Sequence, residues 1–297
     1  MPDTAIEIRS LSKRFGAVTA VDDLSFSVPF GSVTGFLGPN GAGKTTTMRC
    51  LLGLAAPSAG DAVLAGSVYR DLADPLRVVG AALEVTGFHP GRTARQHLRV
   101  VALAAGLEPG RVDAVLAATA MSEYADRRVG GFSSGMRQRL ALSAALLGDP
   151  RILVLDEPAN GLDPAGIAWL RGALRTFADR GGSVLISSHL LAEIQTVADR
   201  VVVIGAGRLV REGAIDVLAT TAGVFVRSPD AVGLADVLRG EGAVVDRDGD
   251  DVLTVTGVTL ERVGELAARG GIVLHELRAR TTNLEEAFLA LTEGGDT

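Results

Sequence analysis

Three short runs, Ile152–Leu155 (I-L-V-L), Ser183–Ser188 (S-V-L-I-S-S) and Val201–Gly205 (V-V-V-I-G), are apolar without alternation. A strand with one face in water alternates apolar and polar residues, so strands of this kind must be covered on both faces. Helical segments separate them, which points to an α/β fold with a mainly parallel sheet between helices. S-V-T-G-F-L (32–37) reads as a further buried strand, and V-V-G-A-A-L-E (78–84) as another. Residues 5–9 and 24–29 alternate and read as strands of the one-sided kind, forming an N-terminal antiparallel β part. Glycine and proline read as punctuation over 57–66. From about Thr93 to Leu147, Ala and Leu recur at helical spacing with breaks at Gly106–Gly110 and Gly130–Gly131. That block interrupts the alternation of strands and helices, so an inserted helical subdomain is expected over about 90–147.

Residues 221–297 read as a separate unit. V-F-V-R-S is strand-like, D-A-V-G-L-A-D-V-L-R helical, and A-V-V-D and V-L-T-V flank the turn signal R-D-G-D-D. T-L-E-R-V-G-E-L-A-A-R is helical again and I-V-L-H-E-L-R closes with a strand. This β-α-β-β-α-β order suits a small ferredoxin-like α+β domain. A final helix, N-L-E-E-A-F-L-A-L, follows an asparagine cap.

Composition narrows the functional classes. The 297 residues carry a net charge of −6 with no basic run, which argues against a nucleic-acid partner. Cys50 is the only cysteine, so neither an intramolecular disulfide nor a cysteine zinc cluster is available. His89, His97 and His275 lack metal-ligand spacing. No apolar stretch approaches the roughly 20 residues of a membrane span, and the acidic start M-P-D-T-A-I-E-I-R is not a signal peptide. Lysine occurs only at Lys13 and Lys44, so each lysine in an arginine-dominated chain merits inspection.

Lys44 lies in Gly38-Pro39-Asn40-Gly41-Ala42-Gly43-Lys44-Thr45, which fits G-x-x-x-x-G-K-[ST] between a strand and a helix. Glycines let the backbone wrap so that its N–H groups point at phosphate oxygens, and the helix dipole adds to that field. Lys44 would reach the β- and γ-phosphates and the Thr45 hydroxyl would ligate Mg²⁺, with Thr46 following in the first turn. A glycine-rich turn with an accidental lysine is the alternative, and chance gives this pattern in about a few chains per thousand. The apolar run ending in Asp156-Glu157 is its natural complement. A carboxylate at the end of such a strand can hold Mg²⁺ through water, and Glu157 could orient or deprotonate an attacking water.

Phosphate-binding loops are shared by many proteins. F-S-S-G-M (132–136), about twenty residues before Asp156, is more selective. It resembles the L-S-G-G-Q signature of ATP-binding-cassette (ABC) ATPases, with Ser133 and Gly135 matching and Phe132, Ser134 and Met136 departing. Further features line up in order over roughly 5–215. Phe15 in K-R-F-G sits where that family stacks an aromatic on adenine, Glu84 occupies the Q-loop position, Asn160-Gly161-Leu162-Asp163 resembles the D-loop, and His189 in S-S-H the switch histidine. The P-A-N-G-L-D-P stretch and the L-E-E-A-F ending are similar to bacterial multidrug and bacitracin-type exporter ATPases.

The resemblance implies an ABC ATPase domain over 1–220 and an accessory domain over 221–297. It implies ATP and Mg²⁺ as ligands, catalysis by Lys44, Glu157 and His189, and metal contacts from Thr45, Asp156 and Glu84. Nucleotide contacts fall to Phe15, the loop Gly38–Thr46, Glu84 and Asp156, and across a head-to-tail dimer to Ser133, Gly135 and Asp163. The implied partners are a second copy of the ATPase and a separately encoded transmembrane permease, with the chain peripheral on the cytoplasmic face of the membrane. The rival within the same superfamily, a soluble ABC ATPase acting on ribosomes or DNA, calls for paired ATPase units, a long coiled coil or cysteine zinc modules. A P-loop kinase offers no reason for F-S-S-G-M. Trp169, at helical spacing with Leu170 and Leu174, reads as packing.

Overall fold

The computed structural model describes residues 4–83, 87–215 and 221–281. The chain divides into two compact units, one running to Ile215 and the other beginning at Asp216.

The first unit contains two sheets. β1 (Thr4–Phe15), β2 (Val18–Pro29) and β4 (Ala59–Leu64) form an antiparallel sheet in the order β2-β1-β4. The second sheet has the order β5-β6-β7-β3-β8-β9, built from β3 (Val33–Leu37), β5 (Val79–Ala82), β6 (Ile152–Leu155), β7 (Ser183–Ser188), β8 (Arg200–Gly205) and β9 (Arg208–Ala214). Its pairs are parallel except β8 with β9. Every residue of β3, β6 and β7 is buried, as unbroken apolar runs require.

Helix α1 (Lys44–Leu51) follows β3 and contributes Met48 and Leu51 to a core shared with Ile6, Ile8 and Leu64 of the antiparallel sheet and Phe36 of β3. The Phe26 and Phe36 rings meet at 5.2 Å within it. Burying each such side chain is worth roughly 1.5–3 kcal/mol, so α1 and the loop before it sit on a firm base.

The stretch 57–66, read as punctuation, contains β4. Gly60 is the reason glycine stands inside a strand: its φ is +74°, and a Cβ there would lie 2.2 Å from the Ser10 carbonyl oxygen. Close approach of β1, and not a turn, demands the glycine. β1 and β2 also run longer than the alternating segments suggested, and β9 is an edge strand that the sequence reading left unassigned.

The helical block holds α3 (Ala94–Ala104), α4 (Gly110–Ala118) and α5 (Ser134–Leu146), with a short α2 (Pro75–Val78) before β5. A capping box starts α3: Gln96 N–H donates to Thr93 Oγ1 while Thr93 N–H donates to Gln96 Oε1. Leu98, Leu116, Met121, Phe132 and Leu140 form a core of its own. Helix α6 (Pro164–Asp179) lies between β6 and β7, and α7 (Leu191–Gln195) between β7 and β8.

The second unit is a four-stranded antiparallel sheet of order β11-β12-β10-β13, from β10 (Thr221–Arg227), β11 (Val244–Arg247), β12 (Val252–Thr256) and β13 (Glu276–Thr281). Helices α8 (Ala231–Gly240) and α9 (Leu260–Arg269) supply Leu234, Leu238, Val263 and Leu266 to its core. The β-α-β-β-α-β order and this strand order are those of a ferredoxin-like unit. The closing strand begins at Glu276, later than I-V-L-H-E-L-R suggested; Ile272 and Leu274 pack on the core before it. The final helix read over 283–291 lies outside the described residues.

Candidate active site

The loop between β3 and α1 is shaped by what cannot fit in it. A Cβ on Gly38 would lie 2.6 Å from the Ile204 carbonyl oxygen, and one on Gly43 would lie 2.5 Å from that of Ala20. Gly43 also has φ +102° and occupies the N-cap of α1 with no side-chain cap. The first-turn N–H groups of this helix therefore carry no internal acceptor, the condition in which a helix start receives an anion. Asn40 and Gly41 are exposed at the tip, and the Ala42 N–H closes a turn onto the Pro39 carbonyl at 3.1 Å.

Lys44 is 6% exposed. Its Nζ donates to the Gly38 carbonyl at 2.6 Å and the Pro39 carbonyl at 3.3 Å, and stands 3.6 Å from Glu157 Oε1. The Thr45 hydroxyl donates to Asp156 Oδ2 at 2.6 Å, and the Ser187 hydroxyl donates to Asp156 Oδ1. Thr46, half-buried, completes the turn.

Topology brings these groups together. The loop leaves β3 and the carboxylates leave β6, two strand spacings away (about 10 Å) with β7 between. All three strands are parallel, so their carboxyl ends open on one edge, where ligands of open α/β sheets bind. β7 ends there in Ser187 and Ser188, followed by His189. The His189 Nδ1 and Glu157 Oε2 are 2.9 Å apart.

Glu157 has φ +48°, a left-handed conformation that costs a non-glycine residue about 1 kcal/mol or more. Its N–H donates to Ser187 Oγ at 2.9 Å, and its carbonyl accepts from Gln138 Nε2 at 3.2 Å. Neither Ser187 nor Gln138 was singled out from sequence. Ser187 lies inside S-S-H and Gln138 two residues beyond F-S-S-G-M, yet no local pattern marks a side chain whose partner is 19 or 30 residues away.

The other expected site residues stand apart from this cluster. Ser133 is the N-cap of α5 and its hydroxyl accepts from the Met136 N–H at 3.2 Å. Ser134 donates to the Gly161 carbonyl at 2.8 Å, and Gly135 packs beside Leu162 and Gly161. Asp163 caps α6 by accepting from the Gly166 N–H at 2.8 Å. Ser133, Gly135 and Asp163 share a groove of about 730 Å³ with Tyr124 and Arg139, and no member of the 38–45 loop lines it. Phe15 is 54% exposed at the end of β1, with Lys13 Nζ 4.8 Å from its ring centroid and bonded to the Ala56 carbonyl at 2.8 Å. Trp169 is half-buried and stacks beneath the Arg139 guanidinium, 4.4 Å from the ring centroid, so it packs α6 against α5. Glu84 lies outside the described residues. Among those residues no cluster of His, Cys, Asp or Glu forms a metal site by itself, and no helix is long and apolar enough to cross a membrane.

An uncapped helix start, a buried lysine and paired carboxylates at the carboxyl edge of a parallel sheet define a P-loop nucleotide-binding protein. The family model described as ABC transporter matches residues 21–160, and one for a domain of unknown function, DUF8746, matches 222–285. The chain is 34% identical over 297 residues to the ABC transporter ATP-binding protein YhcH of Bacillus subtilis (strain 168), covering 97% of this chain and 96% of that protein. It is 36% identical over 302 residues to the Nod factor export ATP-binding protein I of Burkholderia lata, covering 98% of each. It is 41% identical over 212 residues to the bacitracin transport ATP-binding protein BcrA of Bacillus licheniformis, covering 70% and 69%. A solved structure of the ATP binding subunit of an ABC transporter matches with TM-score 0.65 and 25% identity, over 89% of this chain and all of that one. The chain belongs to the ABC transporter ATP-binding protein family and is an ATPase of that family.

Proposed function

We propose that this chain is the ATP-hydrolysing subunit of an ABC exporter, working as a head-to-tail pair on the cytoplasmic face of a separately encoded transmembrane permease. The relatives named for bacitracin transport and Nod factor export support export, and the cargo in this reading is a drug, an antibiotic or a lipid-like molecule. One observation carries the catalytic part: Lys44, Thr45, Asp156, Glu157 and His189 converge on one sheet edge beside an uncapped helix start.

In this reading the loop N–H groups and Lys44 bind the β- and γ-phosphates, with Lys44 exchanging the Gly38 and Pro39 carbonyls for phosphate oxygens. The Thr45 hydroxyl and the Asp156 carboxylate, already in contact, are the oxygen donors that suit Mg²⁺. Bound there, Mg²⁺ would neutralise charge on the phosphates. Glu157 accepts a proton from the attacking water, and His189 orients the Glu157 carboxylate through its Nδ1 contact. Phe15, exposed at the end of β1, offers its ring to the adenine. Ser133 and Gly135 act on the nucleotide of the other copy, which accounts for their distance from the loop of their own chain. The α+β unit is an accessory domain.

The test is Glu157→Gln. With Mg²⁺ and ATP it should bind nucleotide, hydrolyse it about 10²–10⁴-fold more slowly and accumulate as a dimer by light scattering. A variant that turns over normally removes the role assigned to Glu157, and one that stays monomeric when loaded removes the head-to-tail pair.

A further inference from the structure

We propose that Ser187, opposed by Gln138, is a positioning residue that fixes the backbone and thereby the aim of Glu157. The inference rests on the reading that Glu157 acts on the attacking water.

Ser187 is fully buried at the end of β7. Its hydroxyl has one proton, given to Asp156 Oδ1, and its oxygen receives the Glu157 N–H at 2.9 Å. A backbone N–H can only donate, so the Ser187 oxygen is the acceptor for Glu157. Asp156 accepts from Ser187 through Oδ1 and from Thr45 through Oδ2. Ser187 ties that carboxylate to the next peptide.

The next peptide belongs to the non-glycine residue of the site held in the left-handed region, and its other end is gripped as well: Gln138, from helix α5, donates to the Glu157 carbonyl. With N–H and C=O both held, the side chain leaves in one direction, toward His189 Nδ1 at 2.9 Å and Lys44 Nζ at 3.6 Å. Removing either grip lets the backbone relax toward a commoner conformation and swings the carboxylate away. Nucleotide binding, which uses the loop and Lys44, stays.

The experiment measures steady-state ATP hydrolysis by the full chain, with thermal melting as a check on folding. Ser187→Ala should lower kcat by about tenfold or more while the KM for ATP stays within about twofold. Ser187→Thr, which keeps the hydroxyl, should recover kcat to within about threefold of the parent. In the Glu157→Gln background, Ser187→Ala should change the residual rate by less than about twofold, because residues acting as a unit are not additive. Unchanged kcat in a folded Ser187→Ala variant overturns the proposal, and so does an equal fold-loss in both backgrounds. Should Ser187→Ala fail to fold, Gln138→Ala at its half-buried helix position takes its place. A fall in kcat of about threefold or more at unchanged KM, absent in the Glu157→Gln background, supports the clamp; parental kcat overturns it. A Glu157→Gln variant with parental turnover overturns the underlying reading instead, and is seen before Ser187 is touched.

Discussion

Thr45 and Asp156 are 111 residues apart in the chain, yet the Thr45 hydroxyl donates to the Asp156 carboxylate at 2.6 Å. Asp156 is also the acceptor for Ser187. Asp156→Ala therefore leaves two hydroxyls without their acceptor, one of them fully buried, and should cost about 1–3 kcal/mol of unfolding free energy. Chemical denaturation checks this. Nucleotide titrations should show that Mg²⁺ no longer strengthens binding; a persisting Mg²⁺ effect would move the metal contact to another residue.

Lys44→Ala removes a charge-assisted donor worth about 1.5–3 kcal/mol. Nucleotide affinity should fall about 10–100-fold, and hydrolysis should become undetectable. A fluorescent-nucleotide titration beside a phosphate-release assay measures both. Near-parental turnover would contradict the assignment of the 38–45 loop.

Ser133 closes the start of α5 on itself, so Ser133→Arg loses a cap worth about 0.5–2 kcal/mol as well as blocking approach of a second chain. ATP binding to the variant should stay close to parental because Lys44 and Phe15 are untouched. Hydrolysis should be blocked and the ATP-dependent dimer absent. Mixing with Lys44→Ala puts both lesions in one composite site and leaves the other site whole, so turnover should partly return. Loss of ATP affinity in the single variant, with normal dimerisation, would place the action of Ser133 within its own chain.

Burial pushes the His97 imidazole below its usual range, with Arg92 adding to the effect, and the ring meets Phe88 edge-on at 4.9 Å. The folded state then binds the proton less readily than the unfolded state, so stability rises with pH across this titration. The contribution is full above the unfolded value, about 6.5, and is lost as pH falls through it toward the lowered folded value. His97→Gln should flatten the decline of melting temperature between about pH 7 and 5. An unchanged slope would assign the decline to other groups.

How much of this could be read from sequence depended on whether the cause was local. β6 and β7 were legible because burial on both faces leaves an unbroken apolar run. β4 was not: its first half is exposed, and Gly60 is there for the sake of β1, which a reading of 57–66 alone cannot see. β9, an edge strand carrying Arg208, Arg211 and Glu212, resembles a solvated loop in composition. In the site, the loop glycines and Lys44 announce themselves by spacing. Ser187 and Gln138 do not, since each gains its meaning from the peptide of Glu157 on another element.

Strand β3 bonds to β7 on one side and β8 on the other, and to no earlier strand. During synthesis its five residues leave the ribosome roughly 150 residues before their first sheet partner exists. At about 5–20 residues per second the cell carries a finished phosphate loop on an unpaired apolar strand for about 7–30 s. A nascent chain of this protein thus completes its phosphate loop well before the strand beneath it gains a sheet partner, and over that interval only the packing of Phe36 against the earlier strands and α1 can cover it.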